Sequence, residues 1–289
     1  LVGIIFFGII HLGYKGIIYA SLLAYLLQFF YVYYFLSRQI AYHNIYSFNR
    51  TGMIKQAKKY KKFPLYQMPA LLLNSASSNL PVLLFTKLLG ETISGYYSMT
   101  IKIINLPMSL IGNAIGEVYY NKATQYKEDE KKLEKLTWTI YTKLIILGSC
   151  GMGVIAALGD ILFSFVLGKE WEMAGEYARI LSPWYFLVFI TSPFSYLFPI
   201  LGKQKQNLFL NIVMLISRVM TIILGVIIFV DDHLKIIIIF SCSGTLLWLW
   251  VNCYILHLSG IKKYKSFLFS VGAFISGVVI FMCIRSILF

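Results

Sequence analysis

The stretch LFLNIVMLISRVMTIILGVIIFV, residues 208–230, decides the fold class of this chain. Its 23 residues include a single charged side chain, Arg218. A helix of this length extends about 35 Å, which is enough to cross a hydrocarbon core of about 30 Å. Because hydrocarbon offers no partner to an unpaired peptide group, a segment that crosses alone must be helical. The stretch therefore predicts a transmembrane helix.

The rest of the chain has the same character. Hydrophobic residues make up 58% of its 289 residues and charged residues only 13%, against about 25% in soluble domains. Seven further segments are apolar over a spanning length, at residues 17–36, 64–89, 95–120, 136–158, 174–201, 236–258 and 266–288. The sequence predicts an all-α, polytopic integral membrane bundle and excludes a β-sheet protein.

Two apolar stretches are too short to cross on their own. Residues 1–13 begin at Leu1 rather than Met, so we expect further helices upstream of Leu1. Residues 161–167 follow Asp160, and we expect them either to lie at the membrane interface or to continue the preceding helix.

Basic residues are distributed unequally between the loops. Loops 37–63, 121–135, 202–207 and 259–265 hold seventeen Lys and Arg residues, and the opposite side of the membrane holds four. The positive-inside rule therefore places the first set in the cytoplasm. The net charge of +14 is explained by this topology, and no nucleic-acid partner is expected.

The basic loop 37–63 contains a second pattern. From Thr51 onward, Met53, Ile54, Ala57 and Tyr60 recur at helical spacing with lysines on the other side. This predicts an amphipathic helix on the anionic lipids of the cytoplasmic face. A solvated basic linker is the alternative.

Three cations within spans are candidates for binding substrate. Arg218 lies about 15 Å into its span, near the middle of the bilayer, where a cation costs about 2.5 to 3.5 kcal/mol. No acidic residue lies in the middle of any predicted span, so an anionic substrate, or an acid on helices outside this chain, is implied. Lys102 and Lys143 lie nearer to their span ends and either face a cavity or reach the headgroups.

Two neighbouring spans carry many polar side chains. In segment 64–89, Gln67, Asn74 and Ser78 recur at helical spacing, so one face could present amides and hydroxyls to a polar ligand. The alternative is hydrogen bonding between packed helices. Segment 95–120 adds Asn105 and Pro107, which makes it polar and bendable, as suits a transporter.

Signals of catalysis or of metal binding are weak. The four histidines are scattered over segment ends, and neither paired acids nor a glycine-rich phosphate loop occurs. The four cysteines lie inside apolar segments without the spacing of a disulfide or zinc site. We expect no catalytic residues, no metal and no cofactor.

The order of several short motifs resembles a known family. These are Gly90, Gly95-Tyr96-Tyr97, Pro107, Leu110-Ile111-Gly112, Leu167-Gly168, Trp171, Ala178, Leu181 and Pro183. The pattern is similar to that of the Wzx-type O-antigen flippases, the polysaccharide-biosynthesis branch of the multidrug/oligosaccharidyl-lipid/polysaccharide (MOP, MATE-like) exporter superfamily. The resemblance covers most of residues 63–258.

The resemblance implies two six-helix lobes around a cationic cavity that opens alternately to either side of the membrane. Residues 1–36 would be the last two helices of an incomplete first lobe, 37–63 a cytoplasmic linker, and 64–258 a full second lobe. Residues 266–288 would form an additional transmembrane helix.

The function implied is that of a flippase in the bacterial inner membrane. It would move undecaprenyl-pyrophosphate-linked oligosaccharide units across the bilayer for O-antigen or capsule synthesis. Arg218, Lys102 and Lys143 would attract pyrophosphate or acidic sugars, and Asn74, Ser78 and Asn105 would contact hydroxyls. A polysaccharide polymerase and a chain-length regulator are further expected partners.

Two other functions remain open at this point. A cation-coupled small-molecule exporter of the same superfamily would need an acidic ion site. A membrane glycosyltransferase or polymerase would need a long outer loop to hold its acceptor, and the outer loops are short here.

Overall fold

The computed structural model describes residues 13–40, 50–230 and 232–288. Helix is the only regular secondary structure in these ranges, which confirms the all-α prediction. The ten α-helices described are α1 (Gly13–Ile40), α2 (Arg50–Tyr60), α3 (Met68–Leu89), α4 (Glu91–Gln125), α5 (Glu130–Leu167), α6 (Glu172–Thr191), α7 (Leu197–Ile200), α8 (Gln204–Ile228), α9 (His233–Leu258) and α10 (Lys263–Leu288). The short apolar segment 1–12 and residues 41–49 of the basic loop lie outside the described residues.

Three short turns of other helix types precede α3, α6 and α7. A π-turn, Phe63–Gln67, leads into α3, and a 3₁₀ turn, Lys169–Trp171, leads into α6. A second 3₁₀ turn, Ser192–Tyr196, separates α6 from α7, so the expected single span at 174–201 is interrupted. The reason is Pro193, which has no N–H to continue the hydrogen-bond ladder of α6. Residues 161–167 continue α5, which is one of the two expected alternatives.

Six helical segments of the described chain are long and apolar enough to cross a membrane, so this is a multi-pass membrane protein. They are Ile18–Arg38, Thr51–Leu89, Glu130–Leu167, Lys169–Ile200, Gln204–Ile228 and His233–Leu258. Two of the eight expected spans are missing from this set. In α10 the apolar stretch Phe267–Val279 is shorter than a full span. Helix α4 has 35 residues, but polar side chains such as Asn105 and Asn113 lower its hydropathy.

The chain divides into two compact units, Leu1–Lys59 and Tyr60–Phe289. In the first unit, α1 leaves large apolar side chains such as Tyr25 and Tyr31 exposed, each by 71%. The second unit is a bundle of α3 to α10. There α5 packs against α6 and α10, and α3 packs against α4 and α8.

In the second unit, contacts bring the expected cytoplasmic loops together at one end of the bundle. Lys62 Nζ donates a hydrogen bond to the Gly202 carbonyl at 3.3 Å. At the turn after α9, a Cβ added to Gly260 would lie 3.6 Å from Glu134 Cβ. The opposite ends of α5 and α10 meet where Arg285 Nη2 binds Asp160 Oδ2 at 2.9 Å. The helices therefore alternate in direction as the loop charges require.

Aromatic packing holds four helices of this bundle together. Phe85 of α3 and Tyr97 of α4 pack edge to face with ring centroids 4.9 Å apart. Trp184 of α6 and Phe240 of α9 are packed in the same way, also at 4.9 Å. Such pairs contribute about 0.5 to 1.5 kcal/mol each beyond the area they bury. They hold in place part of the wall of the cavity described next.

Backbone conformation explains two of the motif glycines. Gly90, between α3 and α4, has φ 96°, and Gly168, after α5, has φ 101°. Both values lie where a Cβ is strongly disfavoured, so glycine ends these helices without strain.

Candidate functional site

A cavity of about 590 Å³ lies inside the second unit. Its lining residues recur every three or four positions on each helix, so each helix contributes one face. Helices α3 and α4 form one part of the wall and α6, α8 and α9 the rest, with the broken segment after α6 at its edge. The principal polar and aromatic lining residues are Gln67, Asn74, Ser78, Tyr97, Asn105, Ser109, Asn113, Trp184, Tyr185, Thr191, Ser192, Ser195, Tyr196, Asn207, Asn211, Arg218 and Trp248.

Arg218 is the one charged side chain among the described residues that line this cavity. It is half-buried, and its Nη1 donates a hydrogen bond of 2.6 Å to the Ser77 carbonyl of α3. Its guanidinium carbon lies over the Trp184 ring, 5.1 Å from the centroid. Within the described chain, no carboxylate forms an ion pair with it. One of the five guanidinium donors thus binds the Ser77 carbonyl, and no acid neutralises the positive charge of Arg218 in the described chain.

The Ser77 carbonyl is available to Arg218 because of Pro81. In an α-helix this carbonyl would accept from the N–H of the residue four positions later, and proline has none. Pro81 lies inside α3 and is buried. A carbonyl left unpaired in a membrane costs several kcal/mol, so a donor from a neighbouring helix stabilises it. Arg218 therefore replaces the hydrogen bond that Pro81 removes.

Neutral polar groups surround this cation. The side-chain amides of Asn74, Asn105 and Asn113 form no hydrogen bond with any described part of the chain. Each offers two donors and an acceptor to a ligand. On α8, Asn211 Nδ2 donates to the backbone carbonyl of Asn207 at 2.8 Å and to its Oδ1 at 3.1 Å. These groups suit sugar hydroxyls, which both donate and accept.

A buried polar network braces the wall behind Thr191. Asn252 Nδ2 donates to Thr191 Oγ1 at 2.9 Å, and Tyr141 donates its hydroxyl to Asn252 Oδ1 at 3.0 Å. The network connects α5, α6 and α9 behind the cavity. Because its members are buried and satisfied, it holds the end of α6 in one position.

The structure brings together four of the six predicted site residues. Asn74, Ser78, Asn105 and Arg218 all line the one cavity.

Lys102 and Lys143 are exposed and do not line it. Lys102 lies on α4 between the lining residues Ile101 and Asn105 but is not itself one of them. Lys143 is on α5, which packs against α6 and α10 and contributes no lining residue. For Lys143 the position agrees with the headgroup alternative.

Sequence reasoning missed the aromatic and α8 parts of the wall. Asn207 and Asn211 precede Arg218 by eleven and seven residues, a spacing that places all three on one helical face. That signal could have identified them. Trp184 and Tyr185 carried no such signal, because an aromatic pair in an apolar helix is indistinguishable from lipid-facing residues.

A cluster of charged residues away from the cavity has a structural role. Arg179 Nη1 lies 2.6 Å from Glu176 Oε2 and 3.6 Å from Asp160 Oδ2. Asp160 also receives Arg285, so this cluster joins α5, α6 and α10 away from the cavity. Glu117 is exposed and is not among the lining residues.

Comparison with known proteins identifies the family. The family model described as polysaccharide biosynthesis protein matches residues 2–176. The chain belongs to the polysaccharide biosynthesis protein family. Among curated relatives, the capsular polysaccharide biosynthesis protein CapF of Staphylococcus aureus is 31% identical over 137 residues, or 47% of this chain and 34% of CapF. The matched part of this polysaccharide biosynthesis protein thus spans about a third of that relative's length. No solved structure gave a significant match.

Proposed function

We propose that this chain is part of a flippase that moves polyprenyl-pyrophosphate-linked oligosaccharide units across the cytoplasmic membrane. The observation that supports it best is the composition of the cavity wall within a membrane bundle. One cation, a set of amides without internal partners and several aromatic rings meet there. An anionic group, sugar hydroxyls and sugar ring faces are the ligands that these side chains recognise.

In this proposal Arg218 binds the phosphate. A guanidinium forms bidentate, charge-assisted hydrogen bonds with phosphoryl oxygens, and these are about twice as strong as neutral ones. A phosphate near the centre of the bilayer needs such a counter-charge. The donors of Arg218 that Ser77 does not use would supply it.

Asn74, Ser78 and Asn105 would contact the sugar. They lie on facing sides of α3 and α4, in the cavity that also contains the indole of Trp248. Lys102 would attract anionic substrate at the rim of the α4 wall rather than bind it within the cavity. The polyprenyl tail would remain in lipid.

Membership of the family favours this function over the two alternatives. A cation-coupled exporter would need a carboxylate or similar ligand at its ion site, and the described lining has none. An enzyme would need a general acid or base beside the substrate, and the described lining contains no Asp, Glu, His or Lys side chain. The described residues also contain no group of three or more His, Cys, Asp or Glu side chains close enough to hold a metal ion.

The proposal extends to the setting of the transporter. The cytoplasmic membrane would be its location, with the basic loops on the anionic inner leaflet. A polymerase acting on the opposite face, together with a chain-length regulator, would consume the units that it delivers.

Deletion of the gene tests the proposal against the exporter. In a strain without another flippase, loss of the protein should leave single lipid-linked units facing the cytoplasm and remove long surface polysaccharide. Reintroducing the full-length gene should reverse both effects. Surface polysaccharide of normal chain length in the deletion strain would refute the flippase.

A further inference from the structure

Trp184 of α6 is the only described side chain whose ring stacks on the guanidinium of Arg218. We propose that Trp184 and Gly244 are positioning residues, which hold Arg218 where it meets the anionic part of the substrate. This inference rests on the proposed role of Arg218 in binding phosphate. Gly244 is not among the residues that line the cavity, so it acts on Arg218 through Trp184.

The Trp184 ring is confined on several sides. It is 2% exposed, and Phe240 packs against it with centroids 4.9 Å apart. Tyr185 packs against it at 5.6 Å. The ring borders the cavity on one side, and on its packed sides it has little room to shift, because close-packed protein interiors have few voids.

Gly244 of α9 supplies the closest of these contacts. A Cβ added there would overlap Trp184 Cδ2 and would lie 2.5 Å from Cε3 and 2.6 Å from Cε2. Cδ2 lies at the ring fusion and is bonded to both Cε3 and Cε2, so the backbone of α9 lies against a face of the indole rather than its edge. Only glycine leaves this space for the ring.

The consequence for Arg218 follows from cation–π attraction. The guanidinium lies over the ring, and the attraction falls when the ring is lost or displaced. The Ser77 carbonyl holds Nη1 from the other helix. Trp184 and Ser77 together therefore fix the orientation of the remaining donors, which a bidentate phosphate contact requires.

Binding of farnesyl pyrophosphate to the purified full-length protein tests this inference. We expect Trp184→Phe to weaken binding by less than Trp184→Leu, because phenylalanine retains a π-face and leucine does not. The loss in the leucine variant should be about tenfold. Equal binding by the two variants would overturn the inference.

A double-mutant cycle tests the part played by Gly244. Gly244→Ala should weaken binding about tenfold in the wild type and have no further effect in a Trp184→Ala background, because the ring that it displaces is gone. Gly148→Ala is the matched control: its Cβ would lie 2.9 Å from Phe189 Cδ1, and Gly148 is on α5, which contributes no lining residue to the cavity. Its effect should be unchanged by Trp184→Ala.

The outcomes separate this inference from the proposed function. Failure of the wild type to bind farnesyl pyrophosphate would contradict the phosphate site itself. A wild type that binds, with Gly244→Ala binding equally well or losing the same factor in both backgrounds, would overturn only the positioning role.

Discussion

At the scale of single residues, Arg218 has two tasks that its variants should separate. It completes the hydrogen bonding of α3 at Ser77, and it presents a charge to the cavity. Losing the first task leaves a buried carbonyl unpaired, which costs about 1 to 3 kcal/mol. Losing the second affects transport alone.

Arg218→Ala should therefore lower both transport and thermal stability. We expect at least a tenfold loss of transport, since a hydrogen bond to a charged group contributes about 1.5 to 3 kcal/mol. Complementation of the deletion strain at matched protein abundance measures it. Lys87→Ala is the control, because Lys87 is exposed on α3 outside the cavity. Normal export by the alanine variant would make Arg218 purely structural.

Arg218→Lys should behave differently from the alanine variant. An ammonium can donate to the Ser77 carbonyl and keeps the charge, but it lacks the planar fork of the guanidinium. We expect nearly normal stability with transport reduced to an intermediate level. A lysine variant as inactive as the alanine variant would show that geometry, and not charge, governs this site.

At the scale of elements, α3 and α8 are coupled through Pro81. Pro81→Ala supplies a backbone N–H that can donate to the Ser77 carbonyl. It should therefore raise thermal stability and make the Arg218 donor dispensable for folding. Arg218→Ala should then destabilise the Pro81→Ala protein less than the wild type, by about 1 kcal/mol. Melting curves of the four proteins give this coupling, and strict additivity would contradict the shared carbonyl.

The same elements show what could be predicted from sequence. Apolar runs and helical spacing were sufficient to predict the helices, the polar faces of α3 and α4, and the midspan position of Arg218. They could not show that α5 lies away from the cavity, since its packing against α6 and α10 depends on contacts distant in sequence. For that reason the sequence alone leaves Lys143 open between a cavity position and the lipid headgroups.

Polar residues within apolar segments were informative in one helix and uninformative in another. In α4 it marked a helix whose polar residues line a cavity, and the same residues lowered its hydropathy below that of a typical span. The break at Ser192–Tyr196, after α6, could not be predicted, because proline and serine within an apolar run do not reveal whether a helix bends or stops.

At the scale of the whole molecule, topology is the first expectation to test. A cysteine at Glu128, in a basic loop, should be protected from an impermeant thiol reagent in intact cells, and one at Thr92 should react. Both positions are exposed, and the background should lack the four native cysteines. Labelling at 128 with protection at 92 would invert the orientation.

Transport of the lipid-linked unit by the full-length protein in proteoliposomes tests the central claim most directly. An impermeant glycosidase added outside digests only units in the outer leaflet of protein-free vesicles. With the protein present, inner units should reach the outer leaflet and digestion should approach completion, whereas the Arg218→Ala protein should leave the inner units intact over the same time. Digestion that stops at the same level with and without the wild-type protein would contradict the account.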